Sequence, residues 1–156
     1  MHQHHEVRIA ACPDYVWAVL TDVARWPQWA SALREVVPYD GGPLVVGGRV
    51  RVRARNLPVR DWCVREVRAH RGFTWEQVGV GSAATLVVGI RPAPPGGTTL
   101  ELTARRSGWV ASVVDRMTGA TATAHLEELA DGLRRRCEAG QCAPVSPPAQ
   151  SARDVV

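Results

Sequence analysis

The chain has 156 residues, a net charge of +4 and a hydrophobic fraction of 46%. That suits one soluble domain, and no stretch approaches the roughly 18–20 apolar residues of a membrane span. All nineteen cationic side chains are arginines; without a lysine, Schiff-base chemistry, a pyridoxal attachment and a Walker-type phosphate lysine are excluded.

The arginines are scattered over several strands and the last helix, which argues against nucleic-acid binding, whose footprint is a clustered basic face. Residues Met1 to Glu6 contain no apolar signal core, so a cytoplasmic protein is expected. A chain of this length buries roughly 70% of its unfolded surface and needs no staples. Cys12, Cys63, Cys137 and Cys142 form no CxxC pair and no zinc-like spacing, and read as free thiols. His2, His4 and His5 read as a frayed terminus rather than a chelate.

In chain order, His5 to Ala11 alternates weakly and predicts a first strand. Cys12-Pro13-Asp14 turns the chain into a helix, with proline in its first turn and an apolar stripe of Tyr15, Val16, Val19, Leu20 and Val23. A short second helix is expected over Pro27 to Leu33. Trp26 and Trp29 flank its start, either as a plug between helices and sheet or as ligand contacts. Arg34 to Tyr39 predicts a second strand, ended by Asp40-Gly-Gly-Pro43. Arg49 to Arg55 alternates strictly, and the simplest reading turns Val50, Val52 and Ala54 inward. A tight turn over Asn56–Val59 would instead set Arg53 opposite Trp62 on the inner side; the register is open.

Leu57-Pro58 breaks that strand from the next one, and His70-Arg71-Gly72 breaks the next from a third. If Ala69 pairs with Gly72, Val64 faces Gln77, Glu66 faces Trp75 and Arg68 faces Phe73. One face then carries Trp62, Val64, Glu66, Phe73, Trp75 and Gln77, which is either core or the wall of a pocket. Ala83 to Ile90 reads as a central strand, Pro92 to Gly97 as a loop, and Thr98 to Arg106 as a last strand with Leu100 and Leu102 inward.

The longest helix is predicted from Trp109 to about Glu138, with Val110, Val113, Val114, Met117, Thr121, His125, Leu129, Leu133 and Cys137 on its buried stripe and a bend expected at Gly119. Residues 1–138 are expected to form the domain, and 139–156 a disordered Pro/Ala-rich tail. The fold class is α+β: a curved antiparallel sheet of about seven strands around a long C-terminal helix, with two short helices after the first strand. The space between sheet and helix is the natural place for a small molecule.

The order and spacing of Trp26-Pro-Gln-Trp29, Arg55-Asn-Leu-Pro58, Val64-Arg-Glu66, Phe73-Thr-Trp75, Gly96-Gly-Thr98, Ser107-Gly108 and Leu126-Glu-Glu-Leu129 resemble the START-like (SRPBCC) superfamily. The likeness is to its polyketide cyclase/dehydrase and lipid-transport branch and covers about Glu6 to Glu138. The resemblance implies the helix-grip fold shared with the birch-pollen allergen and the plant abscisic-acid receptors. It implies a hydrophobic ligand, but members of the fold variously cyclise polyketides, carry lipids, sense hormones or bind proteins. Relatives carry a histidine on the sixth strand where this chain has Leu86, a departure that removes an acid/base group and makes the wall greasier.

Cyclising a polyketide needs a folded chain, exclusion of water and one or two groups that move protons. Glu66 is the first candidate base, since desolvation beside Trp62 and Trp75 would suit it to that work; at the rim it would instead pair with an arginine such as Arg68. His125 is the second candidate, or else a satisfied helix histidine. Gln77 is placed to orient a carbonyl. Arg53 or Arg106 would hold a carboxylate or phosphopantetheine group if either faces inward. The expected ligand-binding set is Trp62, Val64, Phe73, Trp75, Gln77, Leu86, Leu102, Trp109, Val113, Met117 and Thr121.

No Ser-His-Asp or Cys-His arrangement is legible, and Asp61, Asp115 and Asp131 are too dispersed for a carboxylate metal site. The glycines at 79, 81, 96 and 97 lie in strand turns rather than before a helix. No metal, nucleotide or other cofactor is expected. The expected partner is a hydrophobic small molecule, or an acyl-carrier-bound intermediate, in a monomer or homodimer. The leading reading is a cofactor-independent cyclase or dehydratase; a non-catalytic carrier or sensor and a protein-interaction partner are its rivals.

Overall fold

A computed structural model describes residues 2–140. Seven antiparallel strands form one curved sheet in the order β1-β7-β6-β5-β4-β3-β2. They are β1 (His2–Ile9), β2 (Leu33–Pro38), β3 (Arg49–Ala54), β4 (Arg60–Arg68), β5 (Gly72–Gly79), β6 (Ser82–Ala93) and β7 (Gly97–Ser107). Helix α1 (Pro13–Thr21) and a 3-10 helix (Val23–Gln28) link β1 to β2, and α2 (Ala111–Ala139) closes the concave side. This is the helix-grip architecture. The tail expected after Glu138 falls, from residue 141 on, outside the described residues.

Period-two alternation sets the inner face. Cross-strand partners share a face, so the register defines rows across the sheet. One row runs Val67–Phe73–Val88–Leu102, the next Val64–Trp75–Leu86–Ala104. A third holds Gln77–Ala84–Arg106. The first row is core: Phe73, Val88 and Leu102 are buried. Along the sheet the rows become smaller and more polar, so the core stops and a space begins.

The core end is sealed by aromatic packing. The Trp26 ring stacks on Trp75 at 5.0 Å and meets Phe73 at 6.2 Å and Trp29 at 5.7 Å. Its indole N–H donates to the Leu20 carbonyl at 3.0 Å, so Trp26 is fully satisfied as a plug. Thr98, wholly buried, donates through Oγ1 to the Ala11 carbonyl at 2.7 Å. Leu126, Ala130, Leu133 and Cys137 of α2 pack into the same core. Gly132 permits that approach: a Cβ there would strike the Trp29 carbonyl oxygen.

Two expectations are corrected. The second short helix is a 3-10 turn that begins at Val23 and contains Pro27, rather than starting there; the fixed proline φ suits its last turn. The β4–β5 pairing is Val64 with Trp75 and Glu66 with Thr74, not with Gln77 and Trp75. The loop has three residues, with His70 in the left-handed region at φ 60°, and an irregularity between Val64 and Glu66 shifts the register again. Such a bulge flips the residues beyond it to the other face. In β3 the valines turn inward, Val50 opposite Trp62 and Val52 opposite Arg60.

Candidate functional site

Helix α2 packs against β1, β7 and α1. Its front half therefore bridges the open end of the concave sheet, where the inner residues are too small to reach it. A cavity of about 290 Å³ remains, near the lower end of the range for small-molecule sites. Trp62, Trp75, Leu86 and Ala104 form its sheet wall, and Val52, Ala54, Leu57 and Pro58 its side toward the β3–β4 turn. Val114, Thr118, Ala122, His125 and Leu129 close it from above.

Three buried side-chain atoms have no hydrogen-bond partner among the described residues: Gln3 Oε1, Trp75 Nε1 and His125 Nδ1. All three residues line this cavity. Each such atom costs on the order of 1–3 kcal/mol if left unmatched; it is other parts of these three side chains that line the space. Gln3 is anchored by its other amide atom, Nε2, which donates to Thr123 Oγ1. Burial holds the His125 imidazole below its usual range; Glu128 opposes that shift and Arg55 adds to it. Glu128 is itself fixed by Ser31 Oγ and Arg55, each at 3.0 Å, and the hydroxyl bond leads in holding its carboxyl below the ordinary value.

The charged residues on the wall are Arg60, Arg105 and Arg106, with no carboxylate among them. Arg106 points inward, as the sequence left open, and bonds Asp115 at 3.1 Å and Thr118 at 3.3 Å. Arg53 faces outward, 3.9 Å from Glu35.

Of the residues expected at the site, Trp62, Trp75, Gln77, Leu86 and His125 line the cavity. Val64, Phe73 and Leu102 lie in the core beneath its floor. Glu66 is corrected: the β4 bulge puts it on the outer face, where it pairs with Arg68 at 3.3 Å, and Val67 takes its inward place. Trp109, Val113 and Met117 are also corrected, being exposed at 82%, 56% and 80%. Thr121 is partly buried but off the wall. Of the expected stripe Val114 lines the cavity, joined by Thr118 and Ala122, whereas Val113, Met117 and Thr121 do not. Counting back by fours from Leu126 would have added Thr118 and Ala122; counting from Met117 and His125 does not. Arg60 and Gln3 were missed because their inward direction depends on pairing with Val52 and on the alternation of β1.

Among the described residues no cluster of three or more His, Cys, Asp or Glu is placed to hold a metal ion. Burial pushes the Cys137 thiol up to about 12, so it carries no thiolate chemistry at neutral pH. No described helix is long and apolar enough to cross a membrane.

The family described as polyketide cyclase / dehydrase and lipid transport matches residues 2–138. No curated protein matches in sequence. Among solved structures, a START superfamily protein from Mycobacterium smegmatis superposes with a TM-score of 0.67 at 19% identity, covering 88% of this chain and 97% of that one. Norcoclaurine synthase from Thalictrum flavum, in complex with dopamine and hydroxybenzaldehyde, gives 0.69 at 15% identity, over 92% and 89%. DynU16, a putative protein of the dynemicin biosynthetic locus, gives 0.68 at 22% identity over 90% of this chain; the match spans 48% of DynU16. At these identities the likeness is one of fold.

Proposed function

This chain belongs to the polyketide cyclase / dehydrase and lipid transport family, and we propose that its cavity binds an apolar or aromatic metabolite and acts on it as a cyclase or dehydratase of polyketide type. The observation that carries the reading is an aromatic-walled cavity into whose lining Gln3, Gln77 and His125 bring polar groups. Trp62 and Trp75, with centroids 6.3 Å apart, offer ring faces to a planar or poly-keto ligand. Trp75 Nε1–H donates to a carbonyl oxygen, and Gln77 orients a second.

His125, held neutral by burial, moves the proton. It takes one from a carbon between two carbonyls. The resulting enolate carbon attacks a distant carbonyl and forms the new C–C bond. The alkoxide produced recovers the proton from the imidazolium, so the step needs no co-reactant. Loss of the new hydroxyl with a neighbouring hydrogen releases water. Trp75 Nε1–H stabilises the enolate oxygen as charge develops on it. The substrate arrives free or on an acyl carrier.

The carrier or sensor reading rests on one specific feature: among the described residues His125 is the sole titratable group on the wall besides the arginines, and Leu86 is apolar. Native mass spectrometry of the protein purified from its own host, with the extracted ligand identified, separates the two. A polyketide-derived or polycyclic molecule is the expected result. A fatty acid or phospholipid would overturn the cyclase reading in favour of a carrier.

A further inference from the structure

On the outer face of the sheet several arginines meet acids, while Arg49 lies over the Tyr39 ring and Arg8 donates to the Pro94 carbonyl. Arg51 meets Asp61 at 3.2 Å, Arg53 meets Glu35, Arg65 meets Glu76 at 3.4 Å and Arg68 meets Glu66. Arg91 bridges Glu6 at 3.2 Å and Glu101 at 3.1 Å. The cavity wall differs. Its three arginines have no carboxylate beside them on that wall. Two are engaged elsewhere: Arg105 donates to His2 Nδ1 at 3.1 Å, and Arg106 to Asp115 and Thr118.

Arg60 remains. It opens β4 directly across the ladder from Val52, so it shares the concave face with that inward valine. It stands at the rim, exposed, beside Pro58 and Leu57. Among the described residues it makes no ion pair or side-chain hydrogen bond. An arginine that faces an apolar cavity with no partner of its own leaves a fork of donors for a group the ligand brings.

We infer that Arg60 receives a carboxylate of the ligand at the cavity mouth, so the preferred ligand is an amphipathic acid, its rings or chain among the tryptophans and its anion at the rim. This rests on the reading of the cavity as a ligand site. A phosphate on a tethered pantetheine arm has related anionic chemistry, and the test separates it.

The test uses a matched pair of fluorescent probes, 8-anilinonaphthalene-1-sulfonate and the neutral N-phenyl-1-naphthylamine. Both enter the cavity, and the anionic probe binds more tightly. Arg60→Gln weakens the anionic probe by about tenfold, leaves the neutral one unchanged, and Arg60→Lys recovers part of the loss. Raising salt weakens only the anionic probe, as a rim charge requires. 2-Naphthoate displaces the anionic probe and its methyl ester does so less well. Equal loss of both probes in Arg60→Gln, or no preference for the anion in the wild-type protein, overturns the assignment. Displacement by pantetheine 4′-phosphate but not by 2-naphthoate overturns the carboxylate in favour of the tethered arm. Failure of the neutral probe to bind at all overturns the cavity reading itself.

Discussion

The two halves of α2 do different work. From Leu126 onward the helix closes a core: Leu126, Ala130, Leu133 and Cys137 are buried, and Gly132 sits against the Trp29 backbone. After Ala111 and before Leu126 nothing is fully buried. That half hangs Val114, Thr118 and Ala122 over a space, while Val113 and Met117 face outward. A helix of this length spans roughly 43 Å at 1.5 Å per residue, longer than the packed floor beneath it. The lesson is that one continuous helix is both clamp and lid, and only the clamp is stabilised by packing.

Substitutions sharpen that contrast, beginning with the clamp. Leu133→Ala is expected to cost about 3 kcal/mol by urea unfolding, through lost burial and a cavity that cannot collapse. Met117→Ala, on the exposed side of the lid, is expected to change stability by less than about 0.5 kcal/mol. Similar losses for the two would erase the distinction. Gly132→Ala comes next. Alanine favours a helix by about 1 kcal/mol over glycine, yet here its methyl must displace the Trp29 backbone. A net loss of about 1–2 kcal/mol is expected from overpacking; a gain in melting temperature would show that the clamp is loose.

The smallest effect is the pH dependence of the lid. His125 is held below its usual range, mainly by burial. In the unfolded chain it takes up a proton near pH 6.5, whereas in the fold it does so only at lower pH. The unfolded state binds more protons between those two values, so stability rises with pH across that window. The stabilising contribution is complete above about pH 6.5 and is lost as pH falls below it. Thermal unfolding between pH 5 and 8 is expected to show this slope in the wild-type protein and a flatter one in His125→Gln. An unchanged slope would assign it to another group.

The sheet was legible in the sequence because alternation and turn residues set the strands almost directly. The core tryptophans were legible too, since Trp26 and Trp75 have nowhere else to go. What escaped was phase. A three-residue loop with His70 in the left-handed region and a bulge after Val64 moved Glu66 from wall to surface. Neither leaves a hydrophobic signature. On α2, Met117 looks like core by composition, whereas the lid half has no core to enter. The small residues Thr118 and Ala122 mark the cavity better than the large ones, because a cavity exists where side chains stop short.

The central claim is that the space beneath the lid half holds a ligand. The most direct measurement is titration of wild-type and Ala122→Phe protein with N-phenyl-1-naphthylamine, alongside their melting temperatures. Filling the cavity with a phenyl ring is expected to abolish probe binding while the melting temperature holds or rises. Undiminished binding in a folded Ala122→Phe protein would contradict the account.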